Sequence, residues 1–384
     1  MKDIQDQIIK QAVEDRRYLH QHPELSGREY ETSKYIRERL ESLGIEVLDF
    51  QSPSVVGYVK GMVGEKTLAL RADIDALPMQ EEGDKPYLSK NPGVAHTCGH
   101  DGHTAVLLAV AEWIVNNREE VDHNILLIFQ SSEEITPSGA EFLVNQGVLE
   151  GVDAIFGLHL WQGMKTGLLG LAHGPQMASC DDFEITIEGY GGHGASPHET
   201  VDPIYVASHV MQALHGIVSR MLNPITPGVI TIGKIEAGST YNIIPGSASL
   251  HGTVRGLTLD AVQTMRSQIE KLTEGICSAF GAKGKVDFIL GTPPLVNDVK
   301  QSGFVEQVIK SSFGQDQFQL VQPGMGAEDF SHYLLHKPGA FIFVGMGGEK
   351  SAYPHHHPKF DIDEDALPIA IKLFIEIMKA YDKK

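Results

Sequence analysis

Phe183-Glu184-Ile185-Thr186-Ile187-Glu188 alternates apolar and polar side chains, the period-2 pattern of a strand with one buried face. Downstream, residues 203–221 carry helical spacing, 229–235 and 247–254 alternate as strands, 259–280 is helical again and 286–290 closes as a strand. That order, βαββαβ, is the signature of a ferredoxin-like α+β sandwich. Turn-rich stretches at Gly174-Pro175 and Gly291-Thr292-Pro293-Pro294 bound it on either side.

Outside those bounds the rhythm differs. Ile4, Ile8, Ala12 and Leu19 keep a helical stripe up to the turn at His22-Pro23, and Ile36, Leu40 and Leu43 continue one up to Gly44, where a C-terminal cap belongs. Short β-rich runs follow at 55–59, 67–71, 124–130 and 153–158, with helical patterns at 104–115 and 139–144 between them. Strands alternating with helices predict a mostly parallel sheet covered on both faces. After the insertion, 341–344 and the helix 364–378 resume this pattern. The expected fold is therefore an α/β domain with a mostly parallel sheet, built from residues 1–176 and 293–384, interrupted by a smaller α+β domain at 177–292. A chain of 384 residues is long enough for two cores. No internal repeat or low-complexity segment occurs.

Composition narrows the function. Fifty acidic residues against 31 basic ones give a formal charge of −19, which repels phosphate backbones, and no long Lys/Arg run offsets it. Nucleic acid is excluded as a partner on this reading. No apolar run follows the opening MKDIQDQIIKQ and none elsewhere is long enough to span a bilayer, so no membrane association and a cytoplasmic location are expected. Three cysteines, Cys98, Cys180 and Cys277, do not make a disulfide framework.

Ligand-type side chains gather in five places. Arg71-Ala72-Asp73-Ile74-Asp75-Ala76-Leu77-Pro78 follows the strand 67–71, and in open α/β sheets sites form beyond the carboxyl ends of strands. Its two carboxylates suit a metal or the orientation of a ligand imidazole; a turn with N-capping aspartates fits the same residues. In His96-Thr97-Cys98-Gly99-His100-Asp101-Gly102-His103, Cys98 and His100 can converge on one borderline divalent ion. Asp101 opens the helix and can bond a ligand imidazole from behind, while His103 fits a structural role as well as a ligand one.

The strand 124–130 ends in Ser131-Ser132-Glu133-Glu134. Adjacent side chains alternate along a strand, but at its end the two glutamates can diverge, one towards a metal and the other towards a substrate. An exposed acidic helix start is the plainer reading of such a pair. The strand 153–158 delivers His159 at its end, a position that a core histidine also occupies. Tyr353-Pro354-His355-His356-His357-Pro358 offers three imidazoles in a Pro-bounded loop, for metal or for surface display. Together these places supply enough Cys, His and Glu for two ions, with one carboxylate left over. That is a hydrolase's inventory: paired metals polarise a carbonyl and activate water, and a free Glu shuttles the proton to the leaving amine.

The motifs RRYLHQHPELSGREYET, LRADIDALPMQE, HTCGHDGHTA, QSSEE, GLHLW, GGHGASPH, YNIIPGSA, GTVRG, GMGAEDFS and HHPKFDIDEDAL, in this order, resemble the M20 metallopeptidase family. The resemblance is to its aminoacylase and amidohydrolase branch, which includes hippurate hydrolases and plant hydrolases of auxin–amino acid conjugates. It runs from Arg16 to the final helix. It implies Cys98, His100, Glu134, His159 and His356 as metal ligands, His356 because it stands two places before Pro358, where the family's ligand stands. Glu133 matches the general base. His193 matches a histidine that donates to the developing oxyanion, often across a dimer interface, and Asn242 and Arg255 match positions that hold the substrate's α-carboxylate. Residues 324–329 resemble a backbone-rich loop lining the pocket. The inserted domain becomes a lid and dimerisation domain, and the rest a metal-binding catalytic domain. Many relatives bridge their ions with an aspartate, whereas this branch presents Cys98 there; a thiolate suits zinc, manganese, nickel or cobalt.

What the resemblance implies is a cytoplasmic, two-metal amidohydrolase that releases a carboxylic acid and a free amino acid from N-acyl-L-amino acids, as a homodimer or larger assembly. N-acetyl-diaminopimelate deacetylase and dipeptidase are alternatives on the same motifs. A non-catalytic metal-binding or ligand-sensing protein would dispense with the base, and Glu133 argues against it.

Overall fold

The computed structural model describes residues 4–51 and 53–382. Residues 1–3, 52, 383 and 384, and with them the outer ends of the expected catalytic domain, lie outside the described residues. Contacts group the chain into two compact units: Met1–Gly174 with Asn297–Gln322 and Asp329–Lys384, and Pro175–Val296 with Pro323–Glu328.

The larger unit is built on an eight-stranded sheet. In spatial order its strands are Glu46–Leu48, Val55–Val59, Asn124–Gln130, Thr67–Asp73, Ala154–Lys165, Gly339–Gly347, Leu169–Leu171 and Phe318–Leu320. Asn124–Gln130, Thr67–Asp73, Ala154–Lys165 and Gly339–Gly347 run parallel to one another in the middle. Antiparallel pairing is confined to the Val55–Val59 side and to Leu169–Leu171. The runs Leu68–Ala72 and Ile125–Phe129 are buried along their whole length, as a sheet covered on both faces requires. The helix His100–Asn116 is apolar on every side and almost wholly buried. The helices Asp6–Gln21 and Tyr30–Ser42 instead bury one stripe each: Ile8, Ala12 and Leu19 in the first, Ile36 and Leu40 in the second. Gly44 takes the left-handed φ of 72° that lets its N–H and that of Ile45 return to the carbonyls of Glu41 and Leu40.

The smaller unit holds a four-stranded antiparallel sheet, in the order Gly228–Ala237, Ser247–Gly256, Cys180–Glu188 and Lys283–Thr292. Helices Pro203–Arg220 and Leu259–Ala279 pack with Phe183, Ile185, Ile187, Leu250 and Val254 in one core. Read in chain order, the strands lie second, third, first, fourth, which is the ferredoxin-like arrangement. The unit extends a few residues beyond 177–292 because Pro175–Met177 pairs with Leu295–Val296. Residues 323–328 join it through backbone bonds from Ala178 N–H to the Gly326 carbonyl and from Gly324 N–H to the Gln176 carbonyl.

Several elements escape the sequence pattern, most of them very short. Strands Leu169–Leu171 and Phe318–Leu320 are three residues each, too short to show a period. The helix Val299–Ser312 buries Gln301 and Ser302 among its apolar residues, which blurs its stripe. Among the described residues no helix is long and apolar enough to cross a membrane, and all three cysteines are free.

Candidate metal centre

In the larger unit, Thr67–Asp73 pairs with Ala154–Lys165 only from Leu68 to Arg71, opposite Ala154 to Gly157. Beyond that point the longer strand runs on alone on this side. His159 therefore lies inside a strand and not at its end, because pairing with Gly339–Gly347 continues past Phe343, its partner. The helix expected at 104–115 begins earlier, at His100, after Gly99 in a left-handed conformation (φ 98°). His100 and His103 thus both lie in its first turn, three residues apart and on the same side.

These elements bring the sequence-predicted ligands together. Cys98, His100 and His159 offer three donor atoms within 4.8 Å of one another, and so do Cys98, Glu134 and His356. Cys98 belongs to both groups, with its Sγ 3.5 Å from His159 Nε2. His356 Nε2 lies 3.2 Å from Glu134 Oε1. Glu133 Oε2 and Glu134 Oε1 each stand 4.0 Å from His100 Nε2.

Of the three consecutive histidines, His356 alone enters these groups. It adopts a left-handed φ of 63°, and its N–H donates to the Thr97 carbonyl at 2.8 Å, tying the two loops. His355 accepts from Gln162 N–H and packs on Trp161 and Phe360. His357 stacks on Tyr353 with ring centroids 4.6 Å apart.

Orientation comes from the next layer of groups. His100 Nδ1 faces the carbonyl and carboxylate of Asp75, at 3.0 and 3.1 Å. His159 Nδ1 donates to the Leu160 carbonyl at 2.9 Å, which leaves Nε2 towards Cys98. His103 forms a third donor group with Asp73 and His100, but both its ring nitrogens are taken: Nδ1 donates to Asp73 Oδ1 at 2.6 Å, and Nε2 accepts Leu160 N–H at 2.9 Å. Asp73 is held in turn by Arg71 at 2.7 Å. Asp101 turns away from the ligands to Arg16 and His20, both at 2.8 Å.

Burial opposes charge on His100, yet the charges of Asp73 and Cys98 outweigh it and hold the imidazole well above its usual range. Hydrogen bonds to Cys98 and Glu134 push His356 up to about 10. Burial, joined by the charge of Glu134, raises the Cys98 thiol. His159 is pushed well below its ordinary value, by burial first and then by His103 and His355. His100 and His356 thus hold protons here, and a cation taken up by the pocket displaces them.

The residues fit a metal. His100 Nε2 is buried and has no hydrogen-bond partner among the described residues, while Nδ1 is occupied by Asp75. A bare imidazole nitrogen facing a thiol and two carboxylates is the donor set of a borderline divalent ion.

In the smaller unit, His193 pairs with Ile243, and Gly194 N–H donates to the Asn242 carbonyl at 2.9 Å, so His193 and Asn242 sit side by side. His193 Nδ1 accepts Ala195 N–H at 3.0 Å, which leaves the proton of the neutral ring on Nε2. Arg255 lies near the far end of the strand Ser247–Gly256 and donates to the Met325 carbonyl at 2.9 Å. Eight residues of extended chain separate Ser247 from Arg255, roughly 26 Å. Within one copy the structure does not bring Arg255 to the other two.

Sequence reasoning missed Ser26, Glu29 and Ser54, which bond Asp75, Ser132 and Ser131 respectively. Nothing in their spacing distinguishes them from ordinary loop residues.

A model of peptidase family M20/M25/M40 matches residues 69–380. An N-acetyl-L-cysteine deacetylase of Bacillus subtilis is 40% identical over 367 residues, covering 94% of this chain and 85% of its own. Thermostable carboxypeptidase 2 of Saccharolobus solfataricus is 39% identical over 374 residues, covering 96% and 94%. The crystal structure of a Bacillus subtilis dinuclear metal binding peptidase from the M20 family superposes with a TM-score of 0.86 at 34% identity, covering 98% of both chains.

Proposed function

The chain belongs to peptidase family M20/M25/M40, and from that premise we propose that it is a metal-dependent amidohydrolase that cleaves N-acyl-L-amino acids into a carboxylic acid and a free amino acid. It is a hydrolase of amide bonds and works with two divalent metal ions. The observation that carries the reading is Cys98 standing in two separate ligand groups at once, with the carboxylate of Glu133 beside them.

Cys98, His100, Glu134, His159 and His356 would hold the ions. When bound, the ions supply Lewis acidity towards the amide carbonyl and make water acidic enough to give up a proton near neutral pH. Glu133 takes that proton and later returns it to the departing nitrogen as the C–N bond breaks. His193, with its Nε2 proton free to donate, offers a hydrogen bond to the carbonyl oxygen as it becomes anionic. Asn242 and the forked guanidinium of Arg255 take the substrate's α-carboxylate.

A small substrate cannot reach both ends of the strand Ser247–Gly256. His193 and Asn242 therefore act on a substrate held by Arg255 of a second copy, and the active enzyme is a dimer joined through the smaller unit. The deacetylase relative favours an N-acyl amino acid, and the free cysteines agree with a reducing cytoplasm.

The test is metal analysis combined with a chromatographic panel of N-acetyl amino acids, hippurate, N-acetyl-diaminopimelate and dipeptides. Release of amino acid from the first two classes by protein holding two ions per chain supports the proposal. Turnover of dipeptides alone would replace it by a dipeptidase. Sedimentation that finds a fully active monomer would remove the shared site.

A further inference from the structure

The end of the strand Asn124–Gln130 is held by side chains from three other segments. Ser131 N–H donates to Ser54 Oγ at 3.0 Å, Ser132 N–H to Glu29 Oε1 at 2.8 Å, and Glu134 N–H to Asp75 Oδ2 at 3.0 Å. Ser132 has a φ of 57°, in the left-handed region that residues other than glycine seldom enter. The consequence falls on the next two side chains. On a continuing strand Glu133 and Glu134 would point to opposite faces; after this turn both carboxylates reach within 4.0 Å of the same nitrogen, His100 Nε2.

Glu29 is fully buried in the larger unit, and its Oε2 has no hydrogen-bond partner among the described residues. Burial, with the charge of Asp75 added, pushes its carboxyl up to about 7. An apolar side chain would fill this space without the cost of burying a carboxyl group. What the carboxyl contributes, and an apolar group could not, is an acceptor for backbone amides, that of Ser132 at 2.8 Å among them, and for the Ser132 hydroxyl at 3.4 Å.

We infer that Glu29 is a positioning residue for the general base: its carboxyl oxygen holds the Ser132 amide and so fixes the left-handed turn that presents Glu133 beside its neighbour Glu134. The inference rests on the reading of Glu133 as the base.

The experiment uses the full-length, metal-loaded protein with N-acetyl-L-amino acids and hippurate, and measures kcat, KM, ions per chain and Tm for Glu29→Ala, Glu29→Gln and Glu133→Gln. Glu29→Ala is expected to lower kcat roughly 30- to 100-fold with KM within about 3-fold, since small misplacements of a reacting group cost that much. Its two ions should remain. Glu29→Gln keeps an oxygen that accepts the same N–H and should stay within about 3-fold of native kcat, whatever either change does to Tm. Should Glu29→Ala fail to fold, Glu29→Asp, whose carboxylate stops one methylene short, takes its place with the same expectation. Native kcat in the Ala or Asp variant, a Gln variant as impaired as Ala, or loss of the ions would overturn the inference. Glu133→Gln separates the two levels. If it stays active, the base is misassigned and the inference falls with it; if it is inactive while Glu29→Ala is not, only Glu29 is misread.

Discussion

Asp75 meets His100 twice, through its backbone carbonyl at 3.0 Å and its carboxylate at 3.1 Å, and so fixes which imidazole nitrogen is left for a metal. The other carboxylate oxygen of Asp75 accepts from Glu134 N–H at 3.0 Å and from Ser26 Oγ at 2.7 Å. One side chain thus sets the tautomer of one candidate ligand and the backbone of another. Replacing it with alanine leaves the ring only the backbone carbonyl and loosens the Glu134 peptide. Partners of this kind are worth about 10- to 100-fold in metal affinity. Asp75→Ala is expected to weaken zinc or manganese binding by that factor, read by titration calorimetry on chelator-stripped protein, with Asp75→Asn intermediate. Unchanged affinity in the alanine variant would mean that the backbone carbonyl of residue 75 suffices to hold the ring.

The thiol of Cys98 carries a different prediction. It belongs to the group with His100 and His159 and to the group with Glu134 and His356. Either group without it keeps only two donors, fewer than a stable site needs. Cys98→Ala should therefore retain at most one ion per chain after dialysis, measured by elemental mass spectrometry, where the native protein retains two. Two ions held at native affinity would show that the sulfur bridges nothing.

How much of this was legible before folding follows from what each residue's chemistry requires. Cys98 and His100 announce themselves because two strong ligands so close in sequence have few other uses. The strands Val55–Val59 and Asn124–Gln130 fall where their apolar runs predict. His159 was visible as a residue but not in its setting, because the end of its strand is set by pairing with Gly339–Gly347, far along the chain. Choosing His356 from three neighbours needed family resemblance; the structure adds the Thr97 carbonyl as a physical reason. Asp101 was expected to support a ligand, yet it serves Arg16 and His20. Glu29 was invisible, since its partner is a backbone amide, which leaves no trace in side-chain spacing.

The buried carboxyl of Glu29 also makes stability depend on pH. Its value rises from 4.5 to about 7 on folding, chiefly through burial. In that window the native chain binds the proton that the unfolded chain has released, so stability falls as pH rises from about 4.5 to 7. The shift corresponds to at most about 3 kcal/mol at alkaline pH. Glu29→Gln removes the titrating group. Denaturant melts of both proteins should show the variant gaining on the native chain between about pH 4.5 and pH 7 and level outside that range. A difference that does not change with pH would place the Glu29 carboxyl in contact with water.

Arg16 makes the strongest claim on the fold itself. It is fully buried, and its Nε donates to Asp101 Oδ2 at 2.8 Å, its Nη2 to Asp361 Oδ1 at 2.5 Å and its Nη1 to Glu364 Oε1 at 3.3 Å. His20 completes the group, lying between Asp101 at 2.8 Å and Glu81 at 2.7 Å. Three segments distant in sequence share one guanidinium here, because its fork can face three carboxylates. Removing it leaves Asp101 buried with the histidine alone to balance it, and breaking a buried pair this way costs about 3–5 kcal/mol. Arg16→Ala should show that loss in denaturant melts. Arg16→Lys should recover only part of it, because an ammonium lacks the fork needed to meet three acceptors at once. A lysine variant as stable as the native chain would show that net charge, and not the geometry of the guanidinium, holds the helix Asp6–Gln21 to the loop at 361–364.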